Sequence, residues 1–163
     1  MGMGTGRTDM RWLNTDRRML PFLADLAGIA FTNNAMLIAE YDNGIPIAVG
    51  IFDQFNGRSI HAHMWIATGR RPSRVWYWAM HDYPYWQLGV TNVVATVSAA
   101  NKAMNKLAIH FGGKLVGTVP DYHVDGSDLL IYSGIEEDAP FWKRYKGGRK
   151  SPPTYLHNLQ VAG

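Results

Sequence analysis

The chain contains no cysteine. That absence excludes a disulfide-stapled scaffold, a thiolate zinc site and a cysteine nucleophile together, and a cytoplasmic address is the simplest expectation. Long apolar runs are missing too. No stretch approaches the roughly 20 residues that a membrane-crossing helix needs, and the opening MGMGTGRTDMRW has no hydrophobic signal core. The expectation is a protein with no membrane partner. Charged residues make up only 18% of the chain against 47% hydrophobic, a balance that excludes disorder for the body of the molecule. Internal repeats are absent as well, and 163 residues suit one domain rather than two. The net charge of +3 depends heavily on the late run KRYKGGRK, an excess too local to argue for nucleic-acid binding.

What the chain does have is aromatic weight, with six Trp and eight Tyr, and a regular alternation of patterns. Residues 1–14, with three glycines in the first six, read as a flexible terminus. From Thr15 or Asp16 a helix is predicted, with Met19, Leu20, Leu23, Leu26 and Ile29 at helical spacing and Pro21 in its first turns. Two β-rich runs then flank Asp42-Asn43-Gly44, the strongest short-range hairpin signal in the sequence. SIHAHMWIA forms a third strand that ends near Thr68 and Gly69. Pro72 suits a helix start, Val75, Trp76, Ala79, Met80 and Tyr83 follow at helical spacing, and Pro84 should end that helix. TNVVATV has the composition of a strand buried on both faces. A helix over ANKAMNKLAIHF with Met104, Leu107, Ala108 and Phe111 on one stripe comes next, then two strands joined across Val124–Ser127.

The segment YWQLGVTNVVATVSAANKAMNKLAIHFGGKLVGTVPDYHVDGSDLLIYS carries a resemblance. Leu-Gly precedes the strand, Asn101 follows it, Leu107 and Gly112 stand six and eleven residues beyond that Asn, and the last strand holds an acid and a Tyr. This resembles the GNAT family of N-acetyltransferases, most nearly its ribosomal-protein alanine acetyltransferase branch, over residues 35–134. A small virion protein of short-tailed bacteriophages is similar in style, so a phage origin is one expectation. The resemblance implies an α/β (α+β) fold: a mixed, mostly antiparallel central sheet with flanking helices and a V-shaped splay between two strands. It sets the GNAT-like domain at 15–134, followed by a basic, aromatic tail at 135–163. It also implies acetyl-CoA as cofactor and an amine as substrate. The pantetheine arm would lie in the splay against the backbone of Met64, Trp65, Ile66 and Ala67, with Arg70, Arg71, Ser73, Arg74 and Asn101 completing the cofactor set.

The residues also have readings of their own. Asn101 can bond backbone N–H groups at a helix start, and Gly112-Gly113 supplies the left-handed turn into the next strand; family members usually read Gly-Phe there. Anions bind at helix N-termini because unpaired N–H groups and the dipole converge on them. Here TGRRPSRVW places Pro72, which has no N–H, and Ser73 and Arg74 where the family has small residues. Arginine forks can replace such donors; a solvated surface or a partner patch is the equal alternative. Many members have a Tyr acid where this chain has Ala108. His61 and His63 alternate onto one face of their strand, and imidazole titrates in the range a base requires, which makes His63, then His61, the candidate bases and Tyr132 the candidate acid. Each also has an ordinary structural use. No further ligands cluster with the two histidines, so no metal is expected.

The runs Trp76-Tyr77-Trp78 and Tyr83, Tyr85, Trp86 exceed what one helix face can bury. Some should remain exposed, as a surface for a protein partner or a second subunit, alone or with the tail. Two functions follow. One is an N-acetyltransferase that uses acetyl-CoA. The other is a binding or virion-assembly protein that kept the fold and lost the cofactor site.

Overall fold

The structure, a computed structural model, describes residues 10–139. In chain order the elements are β1 (Arg11–Asn14), a 3₁₀ turn (Arg17–Met19), α1 (Leu20–Ala27), β2 (Met36–Asp42), β3 (Ile45–Asp53), β4 (Ser59–Ile66) and α2 (Arg74–Asp82). A π turn (Tyr83–Gln87), β5 (Asn92–Ser98), α3 (Lys102–His110), β6 (Gly113–Val119), β7 (Leu129–Gly134) and a second 3₁₀ turn (Glu136–Asp138) follow. The strands form one mixed sheet in the order β1-β2-β3-β4-β5-β7-β6. Every pairing is antiparallel except β4 with β5. This is the mixed, mostly antiparallel α/β architecture expected from the resemblance.

Local chemistry explains most of the elements. Asn43 and Gly44 both take positive φ, 51° and 81°, the geometry of the tightest hairpin turn, and they join β2 to β3. Asn101 caps α3, its Oδ1 accepting from the Met104 N–H at 3.1 Å. Gly112 sits at φ 89° at the other end, where a Cβ would come within 2.5 Å of the Asp138 carbonyl oxygen. That conformation and that close approach explain the double glycine.

The sheet separates two apolar layers. On one face α1 buries Leu20, Leu23 and Ala24 against Leu37, Ala39, Val49 and Ile51, with Trp65 half-buried beside them. On the other, Trp76, Ala79 and Met80 of α2 cover Met36, Ile38, Ala48, Phe52, Ile60 and Ala62. The Trp76 indole N–H donates to the Ile38 carbonyl at 3.0 Å, so this ring is buried with its polar edge satisfied. A smaller cluster of Val97, Ala108 and Tyr132 anchors α3 on the same face as α2.

Several expectations are corrected. The domain begins before Thr15, because Arg11–Asn14 pairs in register with β2 and Trp12 stacks on Tyr41 at 4.4 Å. Helix α1 proper starts at Leu20, after the 3₁₀ turn that Asp16 caps. Pro84 does not end the helical path. The chain passes through it as a π turn, closed by Leu88 N–H on the Tyr83 carbonyl, with Tyr83, Pro84 and Tyr85 buried. Strand β5 is not buried on both faces: only Val97 is fully covered. None of Trp76, Tyr77, Trp78, Tyr83, Tyr85 and Trp86 is exposed. Tyr77 leans on Phe111 at the end of α3, and Trp78 meets Trp86 edge to face, so neighbouring elements cover the sides that one helix cannot bury. Trp76, Tyr83 and Tyr85 are buried core, while Tyr77, Trp78 and Trp86 keep part of their surface open. After the second 3₁₀ turn, none of whose residues is buried, Ala139 packs on the core; the rest of the expected tail, 140–163, lies outside the described residues.

Candidate active site

The site is made by a parting of strands. β4 and β5 run parallel and pair only through Ser59↔Asn92, Ile60↔Val93 and His61↔Val94. Beyond that, Ala62–Ile66 and Ala95–Ser98 are held on their far edges, by β3 and β7, and not by each other. A cleft of about 300 Å³ opens there, lined among others by His63, Met64, Thr96, Ser98, Asn101 and the α1 end at Ala27–Ala30. No indole ring of the described residues lines it. The exposure of β5 follows directly: a strand whose partner diverges cannot be covered along that edge.

Register decides which main-chain groups face the opening. Ala67 N–H donates to the Ile47 carbonyl at 2.9 Å, on the β3 side. Backbone groups alternate along a strand, so Trp65 and His63 also turn theirs toward β3, while Met64 and Ile66 turn theirs toward the cleft. Of the four residues expected to present backbone to a pantetheine arm, Met64 and Ile66 do so. Trp65 and Ala67 do not, because the antiparallel ladder uses their groups.

His61 and His63 share the α1 face with ring centroids 6.4 Å apart. His63 Nε2 lies 3.0 Å from Asp53 Oδ1. Asp53 is 2% exposed and also accepts the Thr32 N–H at 3.1 Å. A carboxylate placed there takes the hydrogen on Nε2 and leaves the Nδ1 lone pair as proton acceptor. Asp53 was not singled out in the sequence. Its signal was only that of an acid ending an apolar strand ten residues before His63, and nothing local reveals that two antiparallel strands bring them together.

The loop into α2 holds the other residues expected to bind a cofactor, of which Ser73 and Arg70 are engaged within the chain. Ser73 caps the helix, its hydroxyl accepting from Trp76 N–H at 3.3 Å. Its own N–H donates to Glu40 Oε2 at 2.7 Å, and Glu40 is 1% exposed. Arg70 pairs with Asp42, which also attracts Arg11 at 3.7 Å. Arg11 in turn donates to the Arg71 carbonyl at 3.0 Å. Arg71 and Arg74 are exposed. Burial pushes the Tyr77 phenol upward, with Glu40 adding to that shift and Arg71 opposing it, so both charges act on the first turns of α2.

Asn101 borders the cleft while its side chain caps α3. Tyr132 stands on the α2 face, across the sheet from the His63 side chain, and is 4% exposed. Its hydroxyl donates to Asn105 Oδ1 at 2.8 Å, and the Asn105 amide donates to the Ser98 and Asn101 carbonyls at 2.9 Å each. The expected base and acid are thus not brought together; Tyr132 belongs to a network that fixes the turn from β5 into α3. Among the described residues no group of three or more His, Asp or Glu is arranged to hold a metal ion, and no helix is long and apolar enough to cross a membrane.

Acetyl-CoA can be tested against this geometry in two parts. The pantetheine end fits: the cleft is open between two strands, and Met64 and Ile66 turn their main-chain groups to that side. The diphosphate end does not fit the helix start, where Glu40 holds the Ser73 N–H, Pro72 offers none and Arg70 is bound to Asp42.

No family model matches the chain. No curated protein matches it. Solved structures do. A mutant form of the spermidine/spermine N-acetyltransferase SpeG from Vibrio cholerae superposes with a TM-score of 0.65 at 14% identity, over 83% of this chain and 98% of that one. The same enzyme in complex with manganese ions gives 0.66 at 16%, over 83% and 97%. A dodecameric spermidine N-acetyltransferase from Vibrio cholerae gives 0.66 at 15%, over 83% and 98%. At these identities the likeness shows the fold, which is that of the GNAT N-acetyltransferases. Neither a ribosomal-protein acetyltransferase nor a virion protein is among these three.

Proposed function

We propose that this chain is an N-acetyltransferase that holds the pantetheine arm of an acetyl thioester between β4 and β5 and gives the acetyl group to an amine. One observation carries the reading: the two parallel strands pair over three residues and then part, with His63 at the opening and Asp53 behind it. When bound, the thioester supplies an activated acetyl group.

The chain's own residues supply position and proton transfer. Met64 and Ile66 turn main-chain N–H and C=O groups to the arm, which orients it without a side chain. An amine must be neutral to attack, and His63 Nδ1, with Nε2–H held by Asp53, accepts the ammonium proton. Overall a C–N bond forms and a C–S bond breaks; of the two protons the ammonium loses, one goes to His63 and one to the departing sulfur. Tyr132 is not assigned the acid role, since its hydroxyl proton is committed to Asn105.

The test combines binding and turnover. Millimolar acetyl-CoA or acetyl-pantetheine should raise the melting temperature, because a ligand bound only by the native state stabilises it by mass action. Release of free thiol should then depend on an added amine, and spermidine, named for the similar structures, is the first to try. A folded chain that shows neither a shift nor thiol release across a panel of amines refutes the proposal. That outcome would favour a second reading, a binding protein of the same fold without cofactor. The engaged loop before α2, with Ser73 on Glu40 and Arg70 on Asp42, is the observation on its side.

A further inference from the structure

We infer that recognition of the acyl donor stops at its pantetheine arm, so that acetyl-pantetheine, which lacks the nucleotide, binds this chain as well as acetyl-CoA does. The inference rests on the acyl-transfer reading above and goes beyond it to the chemical class of the donor.

Strand β2 carries the argument. It ends in Glu40-Tyr41-Asp42, and both acids reach the loop between β4 and α2. Glu40 places a carboxylate oxygen 2.7 Å from the N–H at the helix start, in a position 1% exposed, where solvent screens its charge poorly. An internal anion thereby uses the helix end that would otherwise attract an external one. Pro72 withdraws a further donor from the same turn, and the Ser73 hydroxyl is occupied with the Trp76 N–H. Asp42 then holds Arg70 and draws Arg11, so one of the three guanidinium groups expected to replace the missing backbone donors already has its counter-ion. A nucleotide diphosphate brought to this loop meets two carboxylates and an occupied Ser73 N–H, and the cations left to offset them, Arg71 and Arg74, are exposed to solvent, which screens their attraction. The cleft between β4 and β5 shows none of this occlusion: it keeps about 300 Å³ and main-chain edges turned inward. Selectivity for the arm over the nucleotide follows from that asymmetry.

Titration calorimetry on the full chain with acetyl-CoA, acetyl-pantetheine and 3′,5′-ADP separates the possibilities without knowledge of the amine. The expected result is that the two thioesters bind with Kd values within about threefold of each other and that 3′,5′-ADP gives no saturable heat, since a gripped diphosphate would add a factor of about ten for each 1.4 kcal/mol it contributed. Acetyl-CoA binding about 30-fold or more tighter than acetyl-pantetheine, or saturable 3′,5′-ADP, overturns the inference and leaves the acyl-transfer reading standing. No heat from any thioester, with the fold verified by a cooperative urea transition, overturns both. Glu40→Gln keeps an acceptor for the Ser73 N–H while removing the charge. It should tighten acetyl-CoA by about tenfold and leave acetyl-pantetheine unchanged; an unaltered acetyl-CoA affinity in that folded variant removes Glu40 from the explanation.

Discussion

Asp53 closes β3 opposite His61, yet its Oδ1 reaches diagonally to His63, 3.0 Å from Nε2 on the neighbouring strand. Diagonal neighbours in an antiparallel pair are within reach of long or ring-bearing side chains, and the arrangement fixes one imidazole tautomer toward the cleft. If His63 is the base, His63→Gln lowers kcat for amine-dependent thiol release by about 10²-fold or more. Asp53→Asn, which keeps the shape and loses the charge, lowers it on the order of tenfold. In both variants the KM for the thioester stays put, because neither side chain holds the arm. A changed KM with an unchanged kcat would place the pair in binding instead.

Tyr132 separates structure from catalysis. Removing its hydroxyl in Tyr132→Phe leaves the Asn105 Oδ1 acceptor without its donor in a half-buried site, at about 1 kcal/mol of stability. The rate of thiol release should remain within about threefold of the parent, since general-acid loss would cost far more. A urea titration and one rate measurement decide the matter, and a hundredfold slower variant would restore Tyr132 as the acid.

His81, in the last turn of α2 and 1% exposed, has its pKa lowered to about 4 by burial, from 6.5 in the unfolded chain. Between these values the unfolded state binds a proton that the native state refuses, so unfolding free energy declines as pH falls through that window. The decline is at most about 3 kcal/mol from this group. Urea midpoints at pH 7 and pH 5 should therefore differ, and His81→Gln should flatten the difference. Equal slopes in parent and variant would assign the pH dependence elsewhere.

Gly112 is a position where composition is dictated by φ. At φ 89°, with the Asp138 carbonyl 2.5 Å from where a Cβ would stand, Gly112→Ala should lower stability by about 1–3 kcal/mol or more. The urea midpoint measures it, and a neutral outcome would mean that the turn between α3 and β6 rearranges freely.

Local signals were legible where one stretch of chain sufficed to set them. The Asn43-Gly44 hairpin, the Asn101 cap and the Gly112 turn each depend on neighbours within a few residues, and each stands where the pattern puts it. The packed aromatics of α2 and the π turn were not legible. Helical geometry alone cannot say that α3 and the turn itself will cover Tyr77, Trp78 and Trp86. Pro84 misled for a similar reason, since a π turn absorbs the missing donor by shifting the hydrogen-bond pattern by one residue.

By itself the sequence determined the order of elements from α1 to β7 and the strand that carries His61 and His63, because periodicity and turn chemistry are local properties of a chain. Only the tertiary structure decided which backbone groups face the cleft, that Asp53 stands behind His63, that Tyr132 turns to Asn105, and that Glu40 and Asp42 reach the loop where a diphosphate would be expected. Those facts depend on strand register and on charges brought together across tens of residues. Register is settled by the packing of the whole sheet, and no window of sequence contains it.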